Sequence, residues 1–246
     1  STTLAQTTAT VTITSDRAYI SKVKGFTTAT ISTTVTGGSS ATKSWRLLTG
    51  ETAVKSGTGA VPATIEVTTS DAPLNAEGAH ELKLEVTDVA TNVVVSDSIT
   101  VTSDFTGPVA STITVNPWYK AHAGFVASAA DDGAGMKFMQ AWISTNANDT
   151  NAQGTEIEYA DTTAADISKF DWTHVAQGNN YVHIKYTDVV GNVTYAHSTA
   201  FGFDNVAPEA GSISAVKYTN TRSITVTIGY KDATSGVSKM KVWGDI

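Results

Sequence analysis

The sequence predicts an all-β protein built of tandem two-sheet sandwiches, the last of them incomplete. Three observations carry that expectation. Apolar and polar residues alternate with a period of two: Leu82, Leu84 and Val86 against Glu81, Lys83 and Glu85, then Val182, Ile184 and Tyr186 against Tyr181, His183 and Lys185. Such alternation gives one apolar face and one wet face. Thr, Ser, Ala, Val and Gly dominate the chain while Leu and Glu are scarce, a diet that suits strands and starves helices. Finally, Asp88, Asn92, Asp104 and Pro108 recur as Asp188, Asn192, Asp204 and Pro208, each displaced by 100 residues (188 − 88). A repeat this strict sets the architecture. It divides the 246 residues at 1–105, 106–206 and 207–246. About 100 residues is an ordinary size for one sandwich, large enough to bury a core without metal or disulfide.

The elements follow in order. Thr8–Ser15 alternates and reads as a first strand. Phe26–Thr36 is a β-branched run ended by Gly37-Gly38. Lys43–Leu48 carries Trp45, and Gly57, Gly59 and Pro62 break the pattern after it. Ala63–Thr69, Glu81–Thr87 and Val93–Val101 complete the first repeat. In the second, Ser111–Val115, Gly124–Ala130, Met136–Ser144 and Thr155–Tyr159 read as strands, with Asp131–Gly135 as a turn and Asn146–Gly154 as a polar loop. Thr162–Trp172 reads either as a loop with a short strand or as a helical turn near Ala164. Tyr181–Tyr186, the turn Asp188–Asn192 and Val193–Phe203 close that repeat. In the third, Gly211–Val216 and Thr221–Tyr230 are strands. The turn Asp232–Gly236 reads one residue longer than Asp132–Gly135, and Met240 and Trp243 follow it as Met139 and Trp142 follow Gly135. No hairpin equivalent to Asp188–Asn192 comes after Trp243. A half sandwich exposes its inner face and its edges. The expectation is therefore that more chain follows, or that a partner supplies the missing strands.

Several classes are excluded by composition. Only 16% of residues are charged and the net charge is −7, so clustered phosphate contacts, and with them nucleic acid, are not expected. No apolar run approaches the roughly 18–20 residues that span a bilayer, so membrane insertion is not expected. There is no cysteine, hence no disulfide framework. The start, Ser1-Thr-Thr-Leu, has neither a basic nor an apolar signal region and is expected to reflect removal of an initiator Met. Nucleophile elbows, phosphate-cradling glycine loops, dinucleotide fingerprints and His-Glu-x-x-His are all absent, so no enzyme is expected.

The stretch Ala207–Trp243 resembles the opening of a bacterial and phage immunoglobulin-like (Ig-like) repeat. It has a proline-led strand, a Thr/Ser-rich strand, an Asp…Ser-Gly-Val-Ser turn and a Met-x-x-Trp strand in sequence. Asp188–Asn192 and Asp204-Asn-Val-Ala-Pro208 resemble its closing hairpin and linker. The resemblance covers all three repeats and is weakest in the first, where Thr91 stands in place of the turn glycine. It implies tandem Ig-like antiparallel sandwiches, and such repeats serve as spacers, decorations and adhesins.

Candidate sites are few. Asp131, Asp132, Asp188, Asp204 and Asp232 sit in turns and linkers, where Asp caps its own backbone. A hard cation such as calcium takes six to eight oxygens, and a linker carboxylate with the neighbouring turn could supply some of them. Asp104 and Asp204 are the candidates for that role; no other cofactor is expected. Trp118 and Tyr119 follow Pro117 in a loop and are candidates for stacking on a glycan, with Trp172, Tyr181, Tyr195 and Tyr218 as further exposed-aromatic candidates. Trp45, Trp142 and Trp243 are expected in cores. His183 and His197 are expected to face each other as an exposed polar pair; zinc would want three or four ligands. The resemblance and the missing enzyme motifs together suggest a structural or adhesion component of a bacteriophage virion (tail, baseplate, fibre or capsid decoration). It would be assembled in the host cytoplasm, act as a semi-rigid spacer, and meet other virion proteins, copies of itself or a host surface glycan. The alternatives are a fragment of a secreted adhesin or stalk on the bacterial surface, or an accessory module of a polysaccharide-acting enzyme.

Overall fold

The chain folds as predicted into all-β tandem sandwiches. A computed structural model describes residues 7–159 and 172–243. Most of the expected segment Thr162–Trp172 lies outside the described residues. Two compact units can be distinguished. The first is the chain up to Val109 with Ala129–Phe138 and Tyr186–Thr194; the second is Ala110–Ser128, Met139–Lys185 and the chain from Tyr195.

The first unit contains β1 (Ala9–Ser15), β2 (Tyr19–Ile20), β3 (Thr28–Gly37), β4 (Thr42–Thr49), β5 (Thr52–Thr58), β6 (Thr64–Thr68), β7 (Gly78–Asp88), β8 (Val93–Val95) and β9 (Ile99–Ser103). One sheet has the order β1-β3-β6 and the other β2-β9-β7-β4-β5, with β8 beside β7. The alternating residues of both sheets meet in one core: Val11, Ile13, Ala29, Ile31, Ile65 and Val67 from the first, Trp45, Leu47, Leu82, Leu84, Val86 and Val101 from the second. Burying each such side chain contributes roughly 1.5–3 kcal/mol, which is what holds a sandwich against its chain entropy.

Two strands escaped the sequence. β5 was hidden because Gly57 reads as a breaker; in fact the Trp45 ring lies where a Gly57 side chain would be, 2.7 Å from an ideal Cβ. β2 is two residues long and pairs parallel with β9 through Tyr19 and Thr102, too short to leave a period. The run Val93–Val101 is also not continuous. It breaks at Ser96, whose Oγ accepts from Leu84 N (2.9 Å) between β8 and β9.

Next in chain order come β10 (Val109–Ala110), β11 (Trp118–Tyr119), β12 (Ala129–Ala130), β13 (Met136–Ser144), β14 (Ile157–Glu158), β15 (Gly178–Asp188), β16 (Val193–His197) and β17 (Phe201–Phe203). They build a sheet of order β11-β17-β15-β13-β14, with β16 on β15, and a small β10-β12 pair. Of the expected strands Ser111–Val115 and Gly124–Ala130, the first keeps only a single bridge, Thr114 to Val126, and the second keeps that bridge and β12. Gln140, Trp142 and Ser144 share one face of β13, and Tyr181, His183 and Lys185 share one face of β15. The other faces carry Met139 and Ile143, and Val182, Ile184 and Tyr186.

β18 (Glu209–Ala215) and β19 (Val226–Lys231) form a two-stranded ribbon. Residues 237–243 are not a strand, and Trp243 is 81% exposed rather than in a core. Among the described residues no helix is long and apolar enough to cross a membrane.

Candidate functional site

Asp104 follows β9, Asp131 opens the turn before β13, and Asp188 ends β15. All three belong to the first compact unit. One carboxylate oxygen from each lies within 4.8 Å of the others, although Asp104 and Asp188 are each only 1% exposed. Local backbone chemistry explains each placement. Asp188 caps its own hairpin: Oδ1 accepts from Val190 N (2.9 Å) and Asn192 N (2.8 Å), and Oδ2 from Asn192 Nδ2 (2.7 Å). Asp131 Oδ2 accepts from Gly135 N (2.6 Å). Asp104 Oδ2 accepts from Ala134 N (2.6 Å), and no side chain could stand at Gly133, where an ideal Cβ falls 2.3 Å from that carboxylate. Asn192 ties the cluster together by donating also to the carbonyls of Asp104 (3.0 Å) and Thr106 (3.3 Å). Ser21 Oγ donates to Val190 O (2.9 Å), so the hairpin tip is seated as well.

The electrostatics are those of crowded like charge. Burial first, then Asp104 and Asp131, push the Asp188 carboxyl above the usual range; burial first, then Asp104 and Asp132, push up Asp131. Backbone amides offset part of that repulsion. The donors are all hard oxygens, the chemistry calcium prefers, and Asp104, Asp131 and Asp188 would be the residues to hold such a cation. A cavity of about 550 Å³, lined by Glu77, Asp104, Asp131 and Asp132 among others, adjoins them.

Asp204, the other cation candidate, is placed differently. Its Oδ1 accepts from Val206 N (2.9 Å) and its Oδ2 from Ser235 N (3.1 Å), and hydrogen bonds from Ser235 hold its carboxyl low. Among the described residues it joins no trio of acids. The two linkers nonetheless match, since Asp104 and Asp204 accept from Ala134 and Ser235, one residue before Gly135 and Gly236. This corrects the turn comparison. Asp131 caps Gly135 and Asp232 caps Gly236 (3.0 Å), so the turns are equal in length once Asp131 is the counterpart. The shared Asp-x-x-x-Gly spacing was the signal available.

Of the glycan candidates, Trp118 is 46% exposed and its ring lies across Gly202, where a Cβ would fall 2.2 Å away. Tyr119 is not available for stacking. It is buried against Phe125, Trp172 and Phe201 at ring separations of 5.3–6.1 Å, and its hydroxyl oxygen accepts from Asn116 N (2.7 Å). Alternation along the two-residue strand β11 turns Tyr119 inward where Trp118 faces out. Trp172 is likewise buried. Trp142 is buried, but on the His183 face of its sheet rather than beside Ile143. The expected exposed His183–His197 pair does meet, but His183 is completely buried.

No protein-family model and no curated protein matches the chain. Solved structures do. It is similar to the fibronectin(III)-like modules of Clostridium thermocellum CbhA at 18% identity and a TM-score of 0.33, over 78% of this chain and 91% of that one. It is similar to a Ca2+-stabilized adhesin that helps an Antarctic bacterium reach out and bind ice, at 19% identity and a TM-score of 0.40. That match covers 87% of this chain but only 53% of the adhesin chain. A tetra-tandem repeat from the extending region of a large adhesion protein matches at 16% identity and a TM-score of 0.34, over 94% and 65%.

Proposed function

We propose that this chain is a non-enzymatic spacer of Ig-like modules, bounded at 105/106 and 206/207, and a structural or adhesion component of a bacteriophage virion. The observation that supports a spacer most is the recurring linker carboxylate. In both linkers an Asp leaves the last strand of one repeat and accepts from the first turn of the next. A proline follows each, Pro108 and Pro208, and fixes φ. A linker held at both ends transmits position; it does no chemistry. The Asp104–Asp131–Asp188 cluster takes calcium, which neutralises the crowded charge and stiffens the joint. Trp118 offers the exposed ring for contact with a host surface glycan.

The second reading is a bacterial surface adhesin or stalk. It is as compatible with the acidic cluster as the first reading, since three carboxylates without a closed loop suit the weak affinities of extracellular modules, on the order of 10⁻⁴–10⁻³ M. Such a site fills in millimolar calcium outside the cell, where a released virion and a stalk both work. Immunogold labelling with antibody against this chain separates the two. Label on purified phage particles supports the virion, label on the cell envelope supports the adhesin, and label confined to the soluble cytosol contradicts both.

A further inference from the structure

His183 occupies the position that Lys83 holds in the preceding repeat, on the face where Glu81 and Lys83 are exposed. It is nevertheless completely buried. Segment 145–156 brings Asp149 and the Asn146 backbone to the ring. This strap is pinned to the alternate residues of β13 and β15. Ser144 Oγ accepts from Asn146 N (3.2 Å), Trp142 Nε1 donates to Asp149 Oδ2 (3.0 Å), Gln140 Nε2 donates to Gly154 O (2.8 Å), and Lys185 Nζ pairs with Glu156 Oε2 (3.3 Å). Beneath it, His183 Nε2 bonds Ser144 Oγ (3.0 Å), and His183 Nδ1 meets His197 Nδ1 at 2.8 Å. The Trp142 ring is 5.4 Å from the His183 ring.

Two facing Nδ1 atoms at that distance share one proton: one donates, the other accepts. If the half-buried His197 takes an extra proton, the contact survives, because His197 donates. If both rings are charged, both Nδ1 atoms carry hydrogen and the contact turns repulsive. We propose that the His183–His197 pair is an acid-operated latch: charging both imidazoles breaks their contact, releases strap 145–156 and uncovers Trp142.

The groups facing His183 are few. His197 on β16 opposes its charging; Asp149 and the Asn146 carbonyl on the strap favour it. Lys185 on β15 is paired with Glu156, the Tyr181 ring lies 6.5 Å from the His183 ring, and the Tyr195 ring lies 6.4 Å from that of Trp142. Burial, then His197, wins and lowers the His183 imidazole to about 4. The sign follows. The closed form binds fewer protons than the open one, so closure is fully favoured above the free value of 6.5 and weakens as pH falls towards about 4. The opening constant then rises by at most about tenfold per pH unit, or about 40-fold between pH 6.5 and 4.5.

Hydrogen–deuterium exchange of the full chain, corrected for intrinsic rates, reads this directly. Protection across 143–156 should fall about 40-fold between pH 6.5 and 4.5 while Leu82–Val86 of the first unit keeps its protection. His183→Gln should flatten the response. His197→Gln keeps a hydrogen-bonding partner but removes the second charge; it should shrink the response and serves if His183→Gln does not fold. A strap whose protection ignores pH, or one that responds equally in the variants, overturns the latch.

Discussion

The hairpins Asp88–Asn92 and Asp188–Asn192 are the same turn in opposite surroundings. In each, Oδ1 of the Asp accepts from the Asn backbone (2.9 and 2.8 Å) and Oδ2 from the Asn side chain (2.8 and 2.7 Å). Yet the Asn92 hydrogen bonds hold the Asp88 carboxyl below its ordinary value, whereas burial pushes that of Asp188 above it. The second hairpin sits on Ser21, Val23, Asp104 and Asp131; among the described residues the first joins no such acidic trio. Sequence repetition therefore copies local geometry, while place in the chain decides the electrostatics.

Asparagine deletion should separate the two most strongly. Asn192→Ala strips buried carbonyls and a carboxylate of one donor and should cost about 2–4 kcal/mol, against less than about 1 for Asn92→Ala, by denaturant unfolding. Equal costs would erase the comparison. The glycine exchange comes next. Gly191 has φ +85° and an ideal Cβ 3.0 Å from Val23, so Gly191→Thr should cost about 1–2 kcal/mol. Thr91, at φ 67°, already tolerates that backbone, and Thr91→Gly should stay within about 1 kcal/mol of wild type because relieved strain offsets lost chain stiffness.

The pH response should be smaller and of opposite sign at the two turns. The native Asp188 value lies above 3.8, so stability at that joint grows as pH falls through it towards 3.8. The native Asp88 value lies below 3.8, so its contribution is present above 3.8 and lost as pH falls through the native value. Exchange protection of 186–194 and of 86–94 between pH 6 and 3 reports both; parallel trends would contradict the assignment. Least of all should Trp118→Ala disturb folding, because the residue is already 46% exposed, while abolishing any glycan-array signal.

These contrasts mark what the sequence could and could not convey. Alternation exposed β7 and β15, and the Asp and Asn positions exposed the turns, because both are local. The strap beside His183 was not legible: Asn146–Gly154 reads as an ordinary polar loop, and nothing local announces its bonds to Trp142 and Ser144. Tyr119 was misread because one residue of strand alternation separates an outward ring from an inward one. The acidic trio gathers residues 84 apart in sequence (188 − 104), and no periodicity announces such a meeting.

Thermal unfolding with and without calcium tests the joint most directly. At 10 mM Ca2+, a site of about 10⁻⁴–10⁻³ M affinity adds roughly 1.4–2.7 kcal/mol, or about 3–10 °C in Tm for a chain of this size. The joint described here requires that rise in the wild type, its reversal by chelator, and its loss in Asp104→Asn. A Tm that does not move with calcium, or moves equally in Asp104→Asn, means the three carboxylates only cap turns.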